Sequence, residues 1–268
     1  QIYWSNGVKL TNEIAVGLKV AYLFGPVSNL YSNLLSSDPS VADQYVVSIE
    51  EKTNNHGFNF GLGFSFSRDS LGRRQDRRIS VGAVYNLASD LKATSNSKIF
   101  RTQLSGDTIE RYNIESEQGT LHLPQGFSVG ISYGKGVNWS VGTEFAYQDW
   151  GSFKDIRTDD GGLGKFWRTT VGGEFTMDPL ALESYLKRIT FRTGVSYEQY
   201  PFLANGNAVK DFGINFGFSL PAGRSSMDLA LKVGKRGNKQ ENVLEESYFK
   251  LYFGITFNDQ WFIKRKFD

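Results

Sequence analysis

The side chains that most often carry covalent or metal chemistry are scarce in this chain. Histidine occurs twice, as His56 and His122, and cysteine does not occur at all. His56 sits among Asn54, Asn55 and Gly57, and His122 lies just before Pro124. Neither comes with the partners that a nucleophilic triad or a metal cluster requires. Gly61-Leu62-Gly63 belongs to an alternating run and lacks the helix that a nucleotide-binding loop needs. Asp159-Asp160-Gly161-Gly162 could attract Ca²⁺, but the further spaced ligands of a calcium loop are missing, and a flexible external turn is the simpler expectation. The pattern points away from an enzyme, and neither cofactor nor metal is expected. Thirty basic and 28 acidic residues leave a net charge of +2, so the balance gives no sign of a nucleic-acid partner. The one dense basic run, Arg73, Arg74, Arg77 and Arg78 around Asp76, reads as a solvated turn.

What could recognise a ligand is a set of charges at regular positions. Glu144, Arg168, Glu174, Arg188, Arg192, Glu198, Asp211, Asp228, Lys232 and Lys250 all fall where small residues alternate with large apolar ones. Their signs alternate between successive segments. Glu144, Arg168, Glu174, Arg192, Asp211 and Lys232 are therefore the candidate ligand-binding wall. The plain alternative is an ion network that fills an interior and holds strand register. Trp150, Phe153, Phe166 and Trp167 flank a Gly- and Asp-rich segment and could form an external landing site for a greasy solute. Tyr197, Tyr200 and Phe202 flank another. Both groups could equally be interfacial girdle aromatics.

The elements that position these residues are strands. Phe58, Phe60, Leu62, Phe64 and Phe66 alternate with Asn59, Gly61, Gly63 and Ser65, which places large apolar groups on one face and small or polar groups on the other. The same alternation recurs from Ile14 to Phe24, from Asp211 to Phe218 and from Tyr248 to Phe257. It also fits a β-sandwich, with one core face and one wet face. Two features favour a transmembrane barrel. The apolar face is saturated with Phe, Tyr and Trp while the other carries Gly, Ser and isolated charges, and connections alternate between short and long. The composition agrees: 15% aromatic residues and 29 Gly, yet 22% charged residues. No run of 18 or more apolar residues occurs that could form a helical span. The chain opens at Gln1 with no signal-peptide pattern.

Taking the final strand as running down to the periplasm, strands are expected down at about 1–9, up at 13–25, down at 57–67, up at 78–103 and down at 108–134. They continue up at 138–148, down at 166–177, up at 188–199, down at 210–220, up at 226–235 and down at 247–257. Segments 78–103 and 108–134 exceed the roughly 9–11 residues a tilted strand needs to cross lipid. They predict a hairpin projecting above the membrane and turning near Ser105. Residues 26–56 predict a long external excursion with some strand of its own, and Asn205 and Asn207 a longer loop. Residues 178–187, DPLALESYLK, predict a short periplasmic helix begun by an Asp-Pro cap. The barrel is expected over residues 1–257 and a periplasmic tail over 258–268, its Trp261 and Phe262 beside Lys264, Arg265 and Lys266. Single-chain barrels use even strand numbers with both termini periplasmic. A first strand that already runs down implies further residues upstream.

Leu123-Pro124-Gln125-Gly126-Phe127-Ser128-Val129-Gly130, then Tyr133, Trp139-Ser140-Val141-Gly142 and Tyr147-Gln148-Asp149-Trp150, resemble the outer-membrane long-chain fatty-acid transporter family in order and spacing. Phe216-Gly217-Phe218-Ser219-Leu220-Pro221, Gly234-Lys235-Arg236-Gly237 and Tyr248-Phe249-Lys250-Leu251 resemble its Bacteroidota branch. The resemblance covers residues 12–25 and 57–268. It implies a 14-stranded barrel with an N-terminal plug, of which this chain supplies about the last eleven strands. It also implies passive uptake of hydrophobic small molecules such as fatty acids across the bacterial outer membrane. Related Bacteroidota barrels serve protein-secretion assemblies, so the alternative is a non-transporting structural or accessory subunit of an envelope or protein-secretion complex. Implied partners are outer-membrane lipid, a hydrophobic small molecule and other envelope proteins. Members of the family release their cargo sideways into the membrane through an opening by a kinked early strand; that strand and the plug would lie upstream, so the family's gating and ligand residues map to no position here.

Overall fold

The computed structural model describes residues 1–35, 45–69, 77–103, 108–114, 116–156, 162–223, 225–241 and 243–257. Fourteen strands form one antiparallel sheet: β1 (Ile2–Lys9), β2 (Ile14–Leu35), β3 (Tyr45–Asp69), β4 (Arg77–Asn86), β5 (Ser89–Gln103), β6 (Thr108–Asn113) and β7 (Glu117–Leu123), followed by β8 (Gly126–Lys135), β9 (Trp139–Asp149), β10 (Lys165–Thr176), β11 (Thr190–Ala204), β12 (Asn207–Ala222), β13 (Ser225–Arg236) and β14 (Glu246–Thr256). Eleven of them make a continuous ladder in the order β1-β2-β3-β4-β8-β9-β10-β11-β12-β13-β14. These are the eleven wall strands that the alternation predicts. Among the described residues β1 pairs only with β2 and β14 only with β13.

The fold is an all-β barrel wall, and its two faces follow the sequence parity. Phe60 remains 44% exposed, and among the described residues no second sheet covers the Phe58–Phe66 row. That excludes the sandwich, because a sandwich buries this face between its sheets.

The remaining strands extend the wall at one end. β3 is 25 residues long. Its second half pairs with β4 from Gly61 to Asp69, and its first half pairs with β5 from Tyr45 to His56. β5 pairs in turn with β6 and β7. The expected 78–103 strand is thus interrupted at Leu87 and Ala88, where Asn59 donates to the Leu87 carbonyl (3.1 Å) and to Ser89 Oγ (3.0 Å). The expected 108–134 strand breaks at Pro124, which has no N–H for a ladder. Residues 26–35 and 45–56 prolong β2 and β3 in unbroken register, so the strand expected within the 26–56 excursion is there and is longer than expected, paired along its length.

Three further expectations change. Asn205 and Gly206 form a two-residue turn with φ of 51° and 79°, the I′ geometry that matches strand twist. β11 and β12 therefore meet in a tight hairpin, not a longer loop. The 178–187 helix is absent: the only helical piece there is a 3-10 turn, Tyr185–Arg188. Asp178 does accept from the Leu180 N–H (3.0 Å), but a short segment with no apolar face buried cannot repay helix nucleation. Arg188 belongs to that turn, its guanidinium 5.1 Å from the Tyr185 ring centroid, and does not join the lumen wall. Asp159, Asp160 and Gly161, the basic run from Arg73 to Asp76, the hairpin tip near Ser105 and the 258–268 tail lie outside the described residues.

Candidate lumen site

Backbone register carries the charged residues to one face. Glu174 lies opposite Arg192 across β10 and β11, and their side chains meet at 3.2 Å. Arg192 also reaches Asp228 at 3.4 Å. Ser219 joins this group by hydrogen bonds with both Arg192 and Asp228. Arg168 and Glu144 are diagonal neighbours on β10 and β9 and pair at 3.2 Å. Each bridge follows from period-2 alternation plus antiparallel pairing, which brings same-face residues of adjacent strands within reach.

Asp211 is the centre of a second, tighter group. It is 1% exposed and sits opposite Arg236 on β13. Tyr248 donates to its two oxygens at 2.7 and 2.9 Å, and Arg236 Nε and Lys232 Nζ lie at 3.2 and 3.6 Å. Arg236 further reaches Glu246 (3.3 Å) and the Tyr200 hydroxyl (3.1 Å), while Tyr200 donates to Glu198 (2.7 Å). Glycine makes this convergence possible. A Cβ at Gly234 would fall on the Tyr248 ring, and one at Gly213 on the Lys232 side chain. The carboxylate is desolvated, but two cations and a phenol surround it, which is the condition for keeping a buried charge.

The wall strands away from this cluster are nearly free of bulk. Gly17, Gly63, Gly82, Gly130 and Gly142, with Ser80, Ser128 and Ser132, line a cavity of about 900 Å³ whose edge carries Glu144 and Arg168. A second cavity of about 450 Å³ holds Glu174, Arg192 and Asp228. On the side of the long hairpins, Leu91, Ala93 and Leu121 form a small apolar cluster with Leu23, Leu123, Phe153 and Ile156 packed on it. The segment after β9 is pinned there by a two-bond bridge between His122 and Lys154 (2.9 and 3.3 Å).

The six expected wall residues thus share one face but fall into three groups: Glu144 with Arg168, Glu174 with Arg192, and Asp211 with Lys232. The four expected landing-site aromatics do not converge. Trp150 and Phe153 are tilted neighbours with ring centroids 5.9 Å apart, whereas Trp167 pairs with Tyr197 at 5.2 Å on the opposite face from Phe166. Sequence reading missed Arg236, which lies one residue past the expected end of its strand but shares parity with Asp228 and Lys232. It also missed the hydroxyls of Tyr248 and Tyr200 as hydrogen-bond partners: parity puts Tyr248 on the lumen side and Tyr200 reads as an aromatic flanking a loop, but neither pattern shows what a hydroxyl meets across the strands. His122 Nδ1 lies 2.6 Å from Asp90 on the directly opposed strand position. Among the described residues no group of three or more His, Asp and Glu side chains could hold a metal ion.

The family model BamG matches residues 1–268. The chain belongs to the BamG family. Among solved structures, this BamG-family chain is similar in fold to the CymD monoaromatic hydrocarbon channel, at a TM-score of 0.54 and 16% identity over 95% of this chain and 72% of that one. It is similar also to a Pseudomonas aeruginosa FadL homologue (0.53, 14%, 95% and 64%) and to the P. putida toluene transporter TodX (0.50, 13%, 95% and 68%). No curated protein matches it. At these identities the likeness is one of fold: the BamG-family wall is built as the FadL-type barrel is.

Proposed function

We propose that this BamG-family chain forms the wall of an outer-membrane barrel, its C-terminal strand running to the periplasm, that passes hydrophobic small molecules. The observation that carries the reading is the lumen face itself: a cavity of about 900 Å³ lined by small and apolar residues, glycine and serine together with Ala15, Val84 and Thr170, with Glu144 and Arg168 as its charged residues. A small-residue floor leaves room for a solute, and paired charges do not bind polar competitors strongly. Fold likeness to channels described as carrying a monoaromatic hydrocarbon and toluene supports the same direction. No chemical step is assigned to the lumen, and fatty acids are the solute class the sequence resemblance favours, as its Bacteroidota-type motifs favour that branch.

Gly82 offers the test. A Cβ there meets no atom within 4 Å, so Gly82→Trp places an indole in the cavity without disturbing the wall. Uptake of a labelled long-chain fatty acid or of toluene by cells carrying the variant should fall towards that of cells lacking the protein, with normal amounts of folded barrel. Unchanged uptake would refute the reading.

A second reading, a non-transporting accessory subunit of an envelope complex, is favoured by one observation. The acids Glu144, Glu174, Asp228 and Asp211 on the lumen face each have a basic partner within reach, as in a wall built for rigidity. It predicts that partner proteins stay bound through purification in mild detergent, and a lone monomer would count against it.

A further inference from the structure

The connection between β10 and β11 is the longest described one at the end where the other turns are short, and its apolar residues are unburied. Leu180, Leu182 and Leu186 are 84%, 97% and 72% exposed. Leaving three leucines in water forgoes favourable burial of their side chains, and a cluster of this kind marks a surface that meets another phase or molecule. The turn is nonetheless an ordered feature. The Asp178 N–H closes it on the Lys187 carbonyl (2.9 Å), and Asn138 of the neighbouring turn donates to the Met177 carbonyl (3.4 Å).

Two observations say what covers it. First, the turn continues the outer face of the wall. Phe175 and Phe191 lie directly opposite each other on that face and lead into the turn from either side. Ile189, which links the turn to β11, is 8% exposed. Phe175 and Phe191 also border an apolar groove of about 710 Å³ whose lining includes Gly173, Thr193 and Phe218. Second, the turn ends in Lys187 and Arg188. The Arg188 Nε is buried and makes no hydrogen bond, its guanidinium resting on the Tyr185 ring. Exposed leucines on a turn reached from the groove's Phe175 and Phe191, followed in the chain by two cations, match a lipid: acyl chain in the groove, phosphate at the bases.

We propose that this turn is a lipid-binding anchor. Leu180, Leu182 and Leu186 insert into the leaflet at the turn end of the barrel, and Arg188 with Lys187 holds a phospholipid phosphate. The proposal rests on the reading that the Phe-rich face lies in lipid, and its test separates the two.

The chain has no cysteine, so a single fluorophore can be placed by Leu182→Cys on the turn or by Val195→Cys on the mid-wall of the outer face. Both variants of the full chain are reconstituted in phosphatidylethanolamine vesicles containing phosphatidylglycerol, with quenchers either on the acyl chains or, as iodide, in water. Both labels should be quenched by the acyl-chain probe and shielded from iodide. Exchanging Arg188 and Lys187 for Gln should weaken the preference of the turn for phosphatidylglycerol by about fivefold per charge. If the 195 label is quenched from lipid but the 182 label only from water, the anchor is refuted and the barrel stands. If neither is quenched from lipid, the barrel reading itself fails. Shielding of the 182 label in native membranes but not in vesicles of the lone protein would assign the turn to a protein partner and overturn the proposal.

Discussion

Asp211 is the residue on which the charged half of the lumen depends. It has almost no access to water, and Tyr248, Arg236 and Lys232 all point their polar atoms at it. Removing the carboxylate strands two cations in a poorly solvated site, a change that typically costs about 3–5 kcal/mol. Asp211→Ala should lower the unfolding midpoint in denaturant by an amount in that range, measured on the detergent-solubilised barrel. Glu144→Gln is the contrast. Its bridge to Arg168 joins two half-exposed side chains, and an exposed pair contributes at most about 1 kcal/mol. An equal loss from both variants would show that Asp211 is not the keystone. Outside the wall, Lys235 approaches Glu245 to 3.1 Å and holds that carboxyl below its ordinary titration range. A depressed carboxyl stabilises above its unfolded-state pKa and stops doing so as the pH falls through the folded value. The β13–β14 connection should therefore stay closed at neutral pH and become sensitive to an acid-active protease below the usual carboxylate range, and Glu245→Gln should already be sensitive at neutral pH.

At the scale of elements, the pairing of strands was legible because period 2 is written in side-chain size. The Phe58–Phe66 row and its Gly and Ser partners fix which face is which, and a slip of one residue would reverse both. Three elements were not legible for three physical reasons. The Asn-Gly pair at 205 and 206 marks a I′ turn, but the aromatic run before it resembles a girdle followed by a loop. The 178–187 segment carries a helix start signal, yet no packing surface receives its leucines, and tertiary burial decides short helices. Arg188 has the parity of a wall residue, but parity means nothing once the strand has ended. The apolar cluster at the long-hairpin end shows how a long-range contact escapes sequence reading altogether: Phe153 and Ile156 come to rest on Leu91, Ala93 and Leu121 only because β5 and β7 pair. Gly119 makes the space, since a Cβ there would stand 2.8 Å from Ile156 Cγ2. Gly119→Val should therefore unseat the segment after β9, and limited proteolysis should cut between Trp150 and Ile156 while the wall strands stay protected. Protection of that segment in the variant would mean the cluster does not hold it.

For the whole molecule, everything turns on which face meets hydrocarbon, and neighbouring residues can decide it. Thr170 and Val171 are adjacent on β10, one lining the cavity and the other on the Phe-rich face. The backbone hydrogen bonds of both belong to the same ladders, with β9 and β11. An arginine at either position therefore disturbs the strand equally, and any difference comes from the solvent each face sees. A cation on the lipid face costs about 2–4 kcal/mol at the bilayer midplane, whereas one in the lumen finds water and, here, Glu144 on the facing strand. Val171→Arg should thus lose stability in that range when the barrel is unfolded from lipid vesicles, and Thr170→Arg should lose little. The same two variants also separate lipid from a protein-lined surround. Where partner proteins cover the Val171 face in cells, Val171→Arg would still lose stability in vesicles of the isolated chain and would in addition purify from cells without those partners. Equal, small losses in vesicles would mean that the Phe rows are not dissolved in lipid, and the transport reading would fall with the barrel orientation on which it is built.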